Sequence, residues 1–212
     1  MLASFPNTRS RKSRVLSANG ARQTISRLEN PAVKNRLAVD AGQVYYEIFR
    51  TSLGYMGTVG QSGALLQLFF NYSDRPSIEA ALLPLLPTKA QQSNWYPDLA
   101  DRLRRYADGH VADFSDIPVK LVHTTPFSQR VMDLVQAIPY GQQMTYGQLA
   151  QAAGNPGAAR AVGSVMRKNP VPLVVPCHRV VRNGGTIGAY SAPGGGDTKR
   201  QLLAMECRRD IR

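Results

Sequence analysis

Hydrophobic and polar positions first follow the strand period. Three short apolar runs, Val44–Phe49, Tyr55–Val59 and Leu65–Phe70, are rich in β-branched and aromatic residues and are punctuated by Gly54, Gly57, Gly60 and Gly63. That pattern predicts an antiparallel meander. The period then lengthens. Ser77 is expected to cap a short helix running through Leu83, which Pro84 stops. Pro97 opens a second helix with Leu99, Leu103 and Tyr106 on one face, and a strand is expected near Val119–Val122.

From Thr125 onward the pattern is helical. Thr125 is a cap, Pro126 takes the first helical position, and Phe127, Val131, Leu134, Val135 and Ile138 follow at helical spacing up to Pro139. Thr145-Tyr146-Gly147-Gln148 fits a capping box, so a second helix is predicted over 146–153. Gly154 turns the chain, Asn155 is expected to cap a third helix, and Pro156 to open it. That helix is expected to run to Lys168, where Asn169-Pro170 breaks it. The elements thus divide into a small α/β domain at 37–124 and a mostly α domain at 125–212.

Charge sharpens the division. Of the 212 residues, 26 are Lys or Arg and 14 are Asp or Glu, a net charge of +12. Residues 1–36 hold eight basic groups against Glu29 alone. Residues 37–124 hold seven against nine, and residues 125–212 hold eleven against four. A polyanion-binding face and a plain solubility surface both fit this distribution. Residues 1–36 lack apolar periodicity and are expected to be a disordered basic tail, an organelle transit peptide being the alternative. No apolar run approaches the roughly 20 residues of a membrane-spanning helix, so a soluble, intracellular protein is expected. Two cysteines are too few for a disulfide scaffold or a four-cysteine zinc site.

Two short helices around a glycine turn make a helix-turn-helix pattern. In the second, Gly157, Ala158, Ala159, Ala161, Gly163 and Ser164 are all small. Small side chains admit a close neighbour, which is either another helix in the core or a DNA groove. Arg160, Arg167 and Lys168 on the same helix favour DNA. His110 and His123 fit surface or structural roles.

The stretch Val171-Pro-Leu-Val-Val-Pro-Cys177-His178-Arg179 is expected to be an apolar strand that delivers a cysteine just after a proline. A buried structural cysteine is inert. This one has a base and a cation beside it in sequence, which favours thiolate. Adjacent Cys177 and His178 lack zinc-ligand spacing, and a Cys177–Cys207 disulfide is disfavoured in a reducing interior.

Pro176-Cys177-His178-Arg179-Val180 resembles the active-site signature of the O6-alkylguanine-DNA alkyltransferases. The likeness extends through Thr145-Tyr146-Gly-Gln-Leu-Ala, Gly154-Asn-Pro-Gly-Ala-Ala-Arg160-Ala-Val-Gly, Met166-Arg-Lys-Asn169-Pro, Gly188-Ala-Tyr190-Ser191 and Lys199-Arg-Gln-Leu-Leu-Ala-Met-Glu206. It covers essentially all of 125–207 and touches 44–122 only loosely, through Arg50-Thr-Ser-Leu-Gly54 and Gly63-Ala-Leu-Leu.

The resemblance implies a ribonuclease-H-like N-terminal domain and direct DNA repair. In that chemistry an alkyl group moves from guanine O6, and from thymine O4, to Cys177 in one irreversible turnover. By similarity His178 takes the thiol proton through a water, and Glu206 orients His178. Tyr146 donates to the base's ring nitrogen, and the Ser191 backbone N–H supports the oxygen. Asn169 ties the small-residue helix to the active-site segment, and Val180 and Tyr190 shape the base pocket. The target nucleotide is flipped out through the minor groove, and Arg160 fills its place in the stack. Gly157, Ala158, Ala159 and Gly163 allow the close approach, with Arg167 and Lys168 nearby.

The expected partner is double-stranded DNA bound by a monomer, with no membrane, metal or cofactor; cooperative binding along DNA stays open. The expected location is the cytoplasm and nucleoid of a bacterium or archaeon, or a eukaryotic nucleus. The zinc ligands of some members' N-terminal domains and the four-cysteine phosphotriester-repair domain of fused regulators are not evident. Segment 191–199 is somewhat longer than the shortest family versions. The alternatives are a lesion-marking protein, a transcription factor and a cysteine hydrolase. The first would not keep Cys177, and the second would not need Cys177, His178 and Glu206 together. The third would turn over repeatedly.

Overall fold

The computed structural model describes residues 37, 41–122 and 124–207. The basic stretch 1–36 and His123 lie outside them. Strands β1 (Val44–Thr51), β2 (Gly54–Gln61) and β3 (Ala64–Tyr72) form the expected antiparallel meander. The β2–β3 turn is Ser62 at φ 52° and Gly63 at φ 78°. Two successive left-handed residues match the twist of the strands they join. A short β4 (Gln91–Gln92) lies parallel to β1, giving the order β3-β2-β1-β4.

Both faces of this sheet are covered, which is why Met56 through Gln61 are buried without interruption. Helix α1 (Arg75–Leu82) packs Ile78 and Leu82 with Val44, Ile48 and Val59. Helix α2 (Pro97–Ala107) brings Leu99, Leu103 and Tyr106 into a second cluster with Phe49, Met56, Leu65 and Phe70.

Two local expectations are corrected here. The α1 cap is Asp74, whose carboxylate accepts from the Ser77 amide, so Ser77 lies inside the first turn. Pro84 stops the α-helix, as expected, just past its Leu83 cap. It opens a 3-10 turn, Leu83–Leu85, where a proline's missing N–H costs nothing. The strand near Val119 is reduced to one parallel bridge, Leu65 to Val119.

The C-terminal part is helical. It comprises α3 (Pro126–Gln136), β5 (Met144–Thr145), α4 (Tyr146–Ala152), α5 (Ala159–Arg167), β6 (Val180–Val181) and α6 (Gly195–Cys207). Thr125 caps α3, and Thr145 and Gln148 cap α4 reciprocally, as expected. Helix α5 starts later than predicted, and no side chain caps it. Asn155 is engaged in ending α4 instead. Its amide donates to Ala150 O at 2.9 Å while Gly154, at φ 82°, donates to Gln151 O. This is a Schellman ending.

Residues 171–175 form a turn, closed by Val175 N to Val171 O at 2.9 Å with Leu173 at φ 71°, rather than the predicted strand. Pro170, Pro172 and Pro176 withhold the N–H groups a ladder would need.

One buried cluster runs from Phe49, Leu65 and Leu103 through Val131, Leu149 and Val162 to Val175, Cys177 and Leu202. The free edge of β3 adds backbone bonds to it, Leu65 N to Pro118 O at 2.8 Å and Leu68 N to Pro170 O at 2.9 Å. Among the described residues no helix is long and apolar enough to cross a membrane.

The Trp95 ring lies directly on Gly60, where an added Cβ would stand 2.1 Å from a ring carbon. Gly60→Ala is expected to destabilise the fold by about 1–3 kcal/mol through overpacking. Urea unfolding measures this, and an unchanged midpoint would show that the ring can move aside.

Candidate active site

Two short elements set the site side by side. The parallel β5–β6 ladder pairs Met144 with Val180 and Thr145 with Val181. Tyr146 follows β5 at the start of α4, and Cys177-His178-Arg179 form a 3-10 turn just before β6. Helix α6 supplies the opposite wall. Its buried residues Lys199, Leu202, Leu203 and Glu206 repeat at three- and four-residue intervals, so one face carries both charged groups inward.

Cys177 is 4% exposed. Burial pushes its thiol above the ordinary value, and Asn169, Lys199 and Tyr190 oppose that rise. Arg179 does not face the sulfur, which corrects the expectation that the adjacent cation promotes thiolate. Its guanidinium turns to Glu206, donating from Nε to Oε2 at 2.9 Å and from Nη2 to Oε1 at 3.0 Å, while Nη1 donates to Ile138 O at 2.6 Å. The reason is Coulombic. A buried carboxylate needs a fixed cation more than a buried neutral thiol does. Cys177 and Cys207 are both free thiols.

His178 is fully buried, and its Nε2 lies 2.8 Å from Glu206 Oε1. Burial lowers its pKa, so the ring is neutral near pH 7. With Nε2–H donating to the carboxylate, Nδ1 is left as the acceptor, and it has no partner within the protein. Burial alone would raise Glu206, but the bonds from His178 and Arg179 prevail and hold it at about 2. Arg179 carries the balancing charge, and Gly141 N adds a bond to Oε2 at 3.2 Å.

Asn169 is buried and does tie the end of α5 to the cysteine turn. Its Nδ2 donates to Val175 O at 2.7 Å and its Oδ1 accepts from Val171 N at 3.1 Å. Tyr146 is half-buried, and burial raises its pKa, as does the nearby thiol. A Cβ on Gly188 would stand 2.9 Å from the Tyr146 hydroxyl, so that glycine leaves room for it. Tyr190 is half-buried near the thiol, burial keeps it protonated, and its hydroxyl has no hydrogen-bond partner within the protein. The Val180 side chain is buried in the core, and its carbonyl accepts from Lys199 Nζ at 2.5 Å. Ser191 is exposed.

On α5, Val162 and Met166 are buried while Arg160, Ala161, Ser164, Arg167 and Lys168 are exposed. Gly157 faces open space, whereas Ala158, Ala159 and Gly163 are half-buried.

Two groups escape the sequence reading. Tyr106 of α2 donates to Glu206 Oε1 at 2.7 Å and lies 3.3 Å from His178 Nε2. The only signal was a tyrosine on an otherwise apolar face, since a buried hydroxyl needs a partner. Lys199 is 1% exposed, with its ammonium 5.9 Å from the Tyr146 and Tyr190 ring centres. Its seven-residue spacing from Glu206 could have placed it. A cavity of about 460 Å³ reaches Arg179, Tyr140 and Leu173 but not Cys177. Among the described residues no group of three or more His, Cys, Asp or Glu could hold a metal.

Residues 126–208 match the family described as 6-O-methylguanine DNA methyltransferase, DNA binding domain. The chain is 33% identical over 171 residues to a rat protein named methylated-DNA–protein-cysteine methyltransferase, a match covering 76% of this chain and 81% of that protein. It is 44% identical over 108 residues to a Shigella flexneri protein of the same name, covering 51% of this chain and 61% of that one. In structure it is similar to Mycobacterium tuberculosis OGT in complex with DNA, with a TM-score of 0.62 and 32% identity over 77% of this chain and 92% of the other.

The Glu206 cluster predicts an acid-sensitive fold. A carboxyl held near 2 against an ordinary 4.5 contributes stability that is complete above about 4.5 and is lost as pH falls through 2. His178, buried neutral, acts in the same direction, because the unfolded chain takes up its proton first as pH falls. Urea titrations across pH 2–5 should show this slope. Glu206→Gln should flatten it and cost about 3–5 kcal/mol at pH 7 by stranding the Arg179 charge. An unaltered slope in that variant would assign the acid sensitivity elsewhere.

Proposed function

The chain belongs to the methylated-DNA–protein-cysteine methyltransferase family, and from that membership we propose that it repairs DNA by taking an alkyl group from guanine O6 onto Cys177. The observation that carries this reading is one buried cluster: Cys177 beside Asn169, Tyr190 and Lys199, and His178 bound through Nε2 to Glu206 with Nδ1 free to accept.

The groups around the sulfur fit a proton path through a water. His178 Nδ1 has no partner within the protein, so it takes the thiol proton at one remove. The thiolate sulfur forms a bond to the alkyl carbon as the carbon–O6 bond breaks. Negative charge passes to the base, where the Tyr146 hydroxyl donates to the ring nitrogen and the Ser191 N–H supports the oxygen. In the net reaction the alkyl group replaces the thiol hydrogen, and the base regains a ring proton. Lys199 steadies the transient thiolate. Tyr106 and Arg179 keep Glu206 ionised, so the imidazole holds one tautomer. A thioether leaves no route back to thiol, so each molecule acts once. O4-alkylthymine suits the same chemistry.

Helices α4 and α5, joined by a glycine turn, are read as a helix-turn-helix. The exposed Arg160 of α5, with Gly157 open beside it, supports minor-groove docking by a monomer in which Arg160 replaces the flipped nucleotide. Tyr190 lines the base pocket, while Val180, wholly buried, contributes through its carbonyl, which holds Lys199. The sheet order β3-β2-β1-β4, with β4 parallel to β1, supports a ribonuclease-H-like N-terminal part. The place of action is wherever the cell keeps its DNA.

Intact-mass measurement after mixing with O6-methylguanine duplex should give one methyl per chain, mapped to Cys177, and none for Cys177→Ser. Methyl removal by Cys177→Ser at the normal rate would refute the assignment. Arg160→Ala is expected to slow repair of duplex DNA while reacting normally with free O6-benzylguanine. Equal slowing on both would remove Arg160 from the flipping step.

A further inference from the structure

The outer edge of β3 makes contacts at three points, three residues apart, two of them in the C-terminal part. Leu65 N donates to Pro118 O, and Leu68 N donates to Pro170 O, beside Asn169. At the third point the tie comes from a side chain. Asn71 Nδ2 donates to Pro193 O at 3.0 Å and to Thr198 Oγ1 at 2.9 Å. Pro170 and Pro193 lie in segments that form no strand beside β3, and Val119 adds only a single parallel bridge to Leu65, so β3 takes isolated bonds in place of a further strand.

Asn71 is built for this contact. Its φ is 64°, a left-handed conformation that asparagine tolerates better than most residues. Thr198 Oγ1 donates in turn to Pro193 O at 2.6 Å, which closes a three-membered clip. Gly194 lies against the clip, where a Cβ would stand 2.3 Å from Thr198 Oγ1 and 3.4 Å from Asn71 Nδ2. The clip therefore fixes two things. One is the end of the segment that carries Tyr190 and Ser191. The other is the first turn of α6, where Thr198 immediately precedes Lys199. The end of the segment is glycine-rich, with Gly194, Gly195 and Gly196 in a row where α6 begins.

We propose that Asn71 is a positioning residue for alkyl transfer, acting through Pro193 and Thr198 to hold the 190–198 segment against Cys177 and so to limit the size of alkyl group the pocket accepts. The proposal rests on Cys177 as the acceptor. With the clip intact, Tyr190 keeps its place beside Lys199, packed on the cluster that contains Cys177, and a methyl group is held for attack. With it broken, the segment moves away, so a methyl group loses its close fit while a bulky group gains room.

The test compares single-turnover rates on two oligonucleotide duplexes, one containing O6-methylguanine and one containing O6-benzylguanine, with each protein preparation assayed on both. Asn71→Gly keeps the left-handed backbone and deletes the amide. Thr198→Val removes the other half of the clip and serves if the first variant folds poorly. The benzyl-to-methyl rate ratio should rise about tenfold in either, the scale of one or two lost hydrogen bonds. The double variant should show no further rise, because the two residues act as one unit. The ratio cancels any difference in folded fraction, and affinity for undamaged duplex should be unchanged. A ratio within twofold of the parent, or a lower one, overturns the proposal. Failure of the underlying reading looks different, since the parent chain itself would then carry no adduct on Cys177.

Discussion

A buried carboxylate is tolerated only where protein groups replace its water, and Glu206 has that replacement in full. Arg179 donates twice, and His178, Tyr106 and the Gly141 amide donate once each. These donors come from α2, from the turn before β5 and from the cysteine turn, and they converge on an acceptor in α6. The anion thus fixes the meeting point of four chain segments. It also decides the imidazole's tautomer, because Nε2 must donate inward and Nδ1 is left to accept. The chemistry at the sulfur depends on that choice.

The thiol sits in an environment that resists ionisation. Burial raises its pKa, and Asn169, Lys199, Tyr190 and a backbone amide work against burial. A sulfur of this kind stays protonated until a base draws the proton away, which suits a group that must survive unspent before it meets its substrate. The ammonium of Lys199, held by Val180 O near two aromatic rings, is a source of compensating charge.

The N-terminal sheet contributes to the site without holding the reacting atom. Tyr106 reaches Glu206 from α2, while Leu68 and Asn71 of β3 bind Pro170 and the Pro193–Thr198 corner. These contacts press on both walls of the sulfur's surroundings. The shared apolar cluster makes them rigid, because close-packed interiors transmit displacement rather than absorb it.

Local chemistry made much of the molecule legible in advance. The meander, the Thr125 and Thr145 caps, the helices that follow them and the small-residue character of α5 all depend on residues within a few positions of each other. Cys177, His178 and Glu206 were legible because a distinctive ordered set of residues surrounds them. Where neighbouring residues compete, the local reading failed. Asp74 displaced Ser77 as a cap, Asn155 was taken by the end of α4, and the prolines around 171–175 turned a strand into a bend. What only the tertiary structure decided is which distant groups share a charge or a hydrogen bond. Arg179 looked like the cysteine's cation and proved to be Glu206's, and Tyr106 looked like a packing residue and proved to be a donor. Periodicity reports which side of an element faces inward. It carries no information about which buried anion, 100 residues away, will be waiting there.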